Sequence, residues 1–186
     1  MSAVLFMLVA PHFIADDLPP GWGRMSSPSE GFAVTHPIVF KRQKMTDKDP
    51  NGHDVRLTFF RFSKDDVTYI VGISEFDKEY MSQSNKQIFD NARNGSLARS
   101  GGKLIREKDI KLGKFEGREV VNAVGGKDGG VVIARIFVAN GRQYSVMIAG
   151  KKQEDVESED ALRFLDSFKI TAIRKPKDKA KQKPLD

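Results

Sequence analysis

The chain has 186 residues, of which 39% are apolar and 30% charged, with a formal charge of +6. That length suffices for one domain with a proper core, and the composition is ordinary for a soluble globular protein. Cysteine is absent, which excludes disulfides, thiolate nucleophiles and zinc sites built on Cys. A His-based metal site or a Ser-His-Asp triad has only His12, His36 and His53 to draw on.

The chain opens with an apolar run from Ala3 to Ala10 that continues through Phe13 to Ala15. The run is too short to span a bilayer comfortably, and its length suits the apolar region of a secretory signal, with Ala15 before Asp16 as the cleavage point. No Lys or Arg precedes it, and Phe13 stands where a small residue is preferred. The competing reading is a buried first strand or helix. Residues 1–15 are therefore expected to be a signal peptide that leads to export.

Residues 16–31 are rich in Pro, Gly and Ser and read as an extended lead-in, with Trp22 as an anchor against the core. A strand is expected at Phe32 to Thr35. The stretch "TDKDPNGHD", residues 46 to 54, places Asp47, Asp49, Asn51 and Gly52 at the spacing that opens an EF-hand loop. The position of the bidentate Glu is taken by Thr58, Pro50 lies inside the loop, and the flanks read as strands rather than helices. Asp, Pro, Asn and Gly are turn formers, so a turn explains every residue. Calcium binding is the alternative.

Val55 to Phe62 alternates Val55, Leu57 and Phe59 against Arg56, Thr58 and Phe60, and Val67 to Ile73 follows as its hairpin partner. Ser84 followed by Gln87 has capping-box spacing, and Ile88, Phe89 and Ala92 form a short apolar stripe, which predicts a helix from about Asn85 to Ala98 near Gly95. Four strands are expected next: Leu104 to Leu112, Phe115 to Val124, Val131 to Ala139 and Gln143 to Ile148. Gly113-Lys114 joins the first two. "GGKDGG", residues 125 to 130, lacks the Ser/Thr and the following helix of a phosphate loop and reads as a flexible hairpin loop. Asn140-Gly141 is a strong hairpin turn, because both residues tolerate positive φ. "VVIARIFVA" is apolar on both faces and should be central.

Ser158 is the expected N-cap of a second helix, whose apolar face is Ala161, Leu162, Leu165 and Phe168. "FKITAI" closes as a last strand or extension. In residues 174–186, Arg174, Lys175, Lys177, Lys179, Lys181 and Lys183 stand against Asp178 and Asp186. This tail carries +4 and leaves +2 for the rest, so the basic balance is a tail property. It reads as disordered, and its lack of aromatic residues disfavours RNA binding. Arg135 interrupts its apolar strand and is expected to pair with Glu119; Arg118, Arg135 and Arg142 contacting an anionic ligand is the sharper alternative. His36 and His53 read as isolated surface residues.

The element order predicts the α+β class: a single antiparallel sheet of about six to seven strands, largely a meander, flanked by two helices. The phrases "GREVV" (117 to 121), "ARIFVANGRQYSVMIAG" (134 to 150) and "FLDSFKI" (164 to 170) resemble a domain of exported bacterial proteins with no assigned activity. Over roughly residues 30 to 173 this resembles the PsbP-like α/β/α sandwich, the fold of an extrinsic photosystem II subunit and of a nuclear Ran-binding protein. The resemblance implies a domain at residues 32–173 and a binding or assembly role, on fold analogy alone. It carries over no catalytic, cofactor or metal residue. The leading expectation is a non-enzymatic exported module that binds a protein partner or an envelope surface. The alternatives are a small-ligand or calcium-binding protein and, last, a hydrolase using His36 or His53.

Overall fold

The computed structural model describes residues 18–48, 52–126 and 129–173. Residues 1–17, 49–51, 127–128 and 174–186 lie outside the described residues, and with them the expected signal, the candidate calcium ligands Asp49 and Asn51, and the basic tail. Strands β3 (Phe40–Lys48), β4 (Asp54–Lys64), β5 (Val67–Glu75), β6 (Lys103–Leu112), β7 (Phe115–Val124), β8 (Gly130–Ala139) and β9 (Arg142–Gly150) form one antiparallel sheet in the order β3-β4-β5-β9-β8-β7-β6. β8 pairs with β7 on one side and β9 on the other, the interior place its apolar faces require. At the β8–β9 turn Asn140 and Gly141 both take positive φ, 55° and 68°, as a tight primed turn demands.

A second sheet departs from the single one expected. β1 (Trp22–Ser27), β2 (Phe32–Pro37) and the short β10 (Lys169–Ile170) pair in the order β1-β2-β10. The lead-in is thus partly a strand of its own. Its Gly- and Ser-rich composition hides this, because β1 gains its order from pairing with β2 and from burying Trp22 rather than from an apolar run. The small sheet lies on one face of the large sheet, where Phe32 meets Phe60 edge-on at 5.0 Å between ring centroids.

Helices α3 (Gln153–Val156) and α4 (Glu159–Ser167) pack on that same face, and α2 (Asn85–Ser100) covers β7 and β8 on the other. A further short helix, α1 (Lys78–Met81), follows β5. The Ser84 hydroxyl accepts from the Gln87 amide, while the Gln87 side chain accepts from the Ser84 amide at 3.1 Å, closing the expected capping box. α2 runs past Gly95 to a left-handed Gly101 cap. Capping at both ends and burial of Ile88 and Phe89 outweigh the roughly 1 kcal/mol that a helical Gly costs. Ser158 caps α4 through the Ala161 amide, as its position predicts.

Three faces differ from expectation. Over β4 the buried aromatics are Phe60 and Phe62, not Phe59: they stand opposite Val71 and Tyr69 of β5 on the core face, while Phe59 lies on the other face against Gly72. Both parities of this strand are apolar, so alternation gives no sign. In α4 Leu162 is 44% exposed, and Phe164 takes the core place among Phe62 and Tyr69. β3 has no counterpart among the expected elements, because all nine of its residues are exposed and none alternates by burial.

Gly117 of β7 shows how tightly the large sheet is packed. A Cβ there would clash with the Phe137 ring and lie 2.7 Å from the Ile136 carbonyl oxygen. Gly117→Ala is expected to cost about 1–3 kcal/mol through overpacking, read as a lower urea midpoint with an unchanged slope.

Candidate functional site

The free end of the large sheet, at β3, gathers charge. The turn between β1 and β2 holds Glu30, which is buried at 6% exposure. Tyr144 of β9 fixes this turn by donating its hydroxyl to the Glu30 carbonyl oxygen at 2.9 Å. Three cations converge on the Glu30 carboxylate: Arg42 at 2.6 Å, Arg142 at 3.4 Å and Lys44 at 3.9 Å. Arg142 also pairs with Glu75 at the end of β5, and Glu75 accepts from Arg56 of β4 at 2.8 Å. Four cations thus share two carboxylates. A cleft of about 390 Å³ opens beside them, lined by Thr58, Lys44, Arg56 and Arg142 together with Glu30 and Glu75. Its surplus of positive charge suits an anionic group, since Arg forks match carboxylate and phosphate oxygens.

β3 forms the outer wall of this site. It carries Lys41, Arg42, Lys44 and Lys48 against a single carboxylate, Asp47. Ile38, Val39 and Phe40, where the strand begins, are 60%, 67% and 48% exposed. One sheet edge therefore offers a basic stretch with an apolar start.

The other charged clusters are built inward. Arg135 donates to Glu119 at 2.8 Å and to Asp166 of α4 at 2.6 Å, so the expected pair forms and joins α4 to the sheet. Burial alone would raise the Glu119 pKa, but hydrogen bonds from Arg135 and Lys108 outweigh it and hold the carboxyl below its usual range. Arg118 lies over the Phe89 ring and bonds Asp90, Glu107 and Asp109 at 2.5, 2.7 and 3.2 Å. Arg118 and Arg135 are thus engaged by carboxylates of the chain itself, and of the three arginines singled out in sequence only Arg142 borders the open cleft.

His36 is a correction. It is buried at 7% exposure, its ring stacked on Phe62 at 4.2 Å with Nδ1 2.6 Å from the Pro37 carbonyl oxygen. The small sheet that carries His36 lays it against Phe62 of the large sheet, a contact between distant segments that the sequence did not reveal. His53 pairs with Asp77 at 2.6 Å. The two histidines flank opposite ends of β4, roughly 30 Å apart at the strand rise, so they do not share a site. Of the candidate calcium ligands, Asp47 is described and its carboxylate accepts from the Lys48 amide at 2.8 Å; Asp49 and Asn51 lie outside the described residues. The flanks are paired strands, with Lys48 opposite Asp54. Among the described residues no group of three or more His, Asp or Glu side chains is gathered as for a metal ion, and no helix is long and apolar enough to cross a membrane.

Glu30, Arg42, Lys44, Arg56 and Glu75 went unmarked in the sequence. The density of Lys and Arg in "FKRQKMTDK" beside an apolar strand was the available signal, since charge without alternation marks an edge strand.

No family model matches the sequence, and neither does any curated protein. Among solved structures, cyanobacterial PsbP (CyanoP) from Synechocystis sp. PCC 6803 matches with a TM-score of 0.58 at 14% identity, over 83% of this chain and 95% of that one. A Bacteroides thetaiotaomicron protein matches with a TM-score of 0.43 at 10% identity, over 79% of this chain and 47% of that one. The chain has the PsbP-like fold, a large antiparallel sheet with helices on both faces, here joined by a small second sheet.

Proposed function

We propose that this chain is a non-enzymatic, exported binding module that engages a protein partner through the β3 end of its large sheet. The observation that carries this reading is β3 itself: nine exposed residues, rich in cations, on a free edge beside an open charged cleft. A long edge with unpaired backbone groups is a template for pairing with another chain, and nine such exposed residues beside a charged cleft suit recognition. The apolar run from Ala3 to Ala10 supports export. The separation of His36 from His53, and the burial of His36, support a role without catalysis.

The test is capture from an extract of the cell envelope that contains the protein. Lys41→Glu with Lys44→Glu is expected to abolish capture of the partner held by the parent chain. Lys103→Glu with Lys111→Glu on β6, the opposite edge, should leave it. Equal capture by the β3 variant would place binding elsewhere.

A further inference from the structure

The binding-module reading leaves open how β3 holds its partner, and the strand's backbone supplies an answer that rests on that reading. We infer that β3 is a site of strand addition, and that its occupant is an extended acidic segment of the partner that pairs antiparallel with residues 40–46.

The hydrogen-bond phase of β3 follows from one contact. The Ser63 amide donates to the Val39 carbonyl at 3.2 Å. Bonded and non-bonded pairs alternate along an antiparallel ladder, so Lys41, Gln43 and Met45, opposite Arg61, Phe59 and Leu57, turn their backbone groups to β4. Phe40, Arg42, Lys44 and Thr46 then present their N–H and C=O groups to the free edge. The register with β4 runs from Phe40 to Lys48 without a shift, and neither Gly nor Pro interrupts it. The opposite edge differs: β6 carries a register irregularity between Leu104 and Arg106, a device that blunts an edge. Of the two edges of the large sheet, β3 is the one whose described register is unbroken.

The side chains specify the occupant. Phe40, Arg42 and Lys44 share one face, because they stand opposite Phe62, Phe60 and Thr58. Residues directly opposite across a new ladder share that face and touch. Arg42 and Lys44 share the single Glu30 carboxylate with Arg142 and so keep positive charge to spare; an antiparallel segment places one carboxylate opposite Lys44, a second two residues later opposite Arg42, and an apolar residue two further on against Phe40. The pattern read is acidic-x-acidic-x-apolar. A second copy of this chain does not fit, since two β3 edges would set Arg42 and Lys44 against like charges. The competing account of the lysines is that they only guard the edge against pairing.

The test uses the full 186-residue chain with a blocked peptide containing Glu-Thr-Glu-Thr-Phe, its counterpart with Lys for Glu, and phosphatidylglycerol vesicles as probes. The acidic peptide should bind and slow amide exchange at Arg42, Lys44 and Thr46 while leaving Lys41, Gln43 and Met45 as they were. Lys44→Pro removes one outward N–H that β4 does not use, so the fold should survive with its amide spectrum intact elsewhere, while peptide affinity falls at least roughly tenfold. Lys44→Ala keeps that N–H and should lose less. Binding that withstands Lys44→Pro, that slows exchange at both parities alike, that is matched by the Lys peptide, or that occurs with the vesicles alone overturns strand addition, as does no binding at all. If the envelope partner is still captured through β3 by the Lys44→Pro chain, the binding-module reading stands and strand addition falls.

Discussion

Replacing Phe168 with Ala is expected to lower the unfolding free energy by about 3–5 kcal/mol, the usual cost of emptying a large aromatic site in a core. Phe168 is 1% exposed, at the end of α4. Its ring contacts Phe32 of β2 at 6.0 Å, Phe137 of β8 at 6.2 Å and Tyr144 of β9 at 6.2 Å between centroids. One side chain thus joins the small sheet to the large one. Its removal leaves rigid rings from three strands around a void, and strand backbones cannot close in to fill it. Urea unfolding of Phe168→Ala measures the loss. Leu162→Ala, six residues earlier on the same helix, provides the contrast: at 44% exposure it should change stability by less than about 1 kcal/mol. If the two substitutions cost the same, α4 does not present the face described.

Glu119→Gln should cost less at neutral pH, about 1–3 kcal/mol, because a neutral amide is a weaker partner than a carboxylate for Arg135 and Lys108, while Arg135 keeps Asp166. Glu119 is 4% exposed and serves Arg135 and Lys108 together. The sign of the pH dependence follows from its depressed pKa. A carboxyl held below its unfolded value of 4.5 contributes stability above that value and loses it as pH falls through the folded pKa. The parent chain should therefore lose stability as pH drops below about 4.5, and the gap between parent and Glu119→Gln should narrow as acid neutralises the parent carboxyl. Thermal unfolding of both chains from neutral to acid pH gives the comparison. A gap that stays constant would mean that Glu119 contributes by packing and not by charge.

What the sequence disclosed and what it hid have a common cause. Local chemistry was legible: Ser84 with Gln87, Asn140 with Gly141, and Ser158 act over three or four residues, and each forms as its spacing predicts. Strands with apolar residues on the inner face, such as Val131 to Ala139, were legible within a residue or so. Elements stabilised by pairing alone were not. β1 exists because it pairs with β2, and β3 exists because β4 supplies its ladder; the short β10 falls within the last strand expected at "FKITAI". The face of a strand is ambiguous where both parities are apolar, which is why Phe59 and Phe60 exchanged places. Burial of a polar residue depends on a distant cover, so neither His36 under its aromatic neighbours nor Glu30 under Tyr144 and its arginines left a trace in the local pattern. The ion pair of Arg135 with Glu119 was legible because a lone charge in an apolar strand requires a partner.

The central claim is that this PsbP-like fold meets its partner at β3. A photo-crosslinking residue placed at Gln43, in cells that make the protein, tests it most directly, with the same residue at Lys111 on β6 as the matched position. Both sites are exposed and lie on opposite edges of one sheet. The account predicts a discrete adduct from position 43 that is absent from position 111 and is lost when Lys41→Glu and Lys44→Glu are added. An adduct from position 111 alone, or none from position 43, would contradict it.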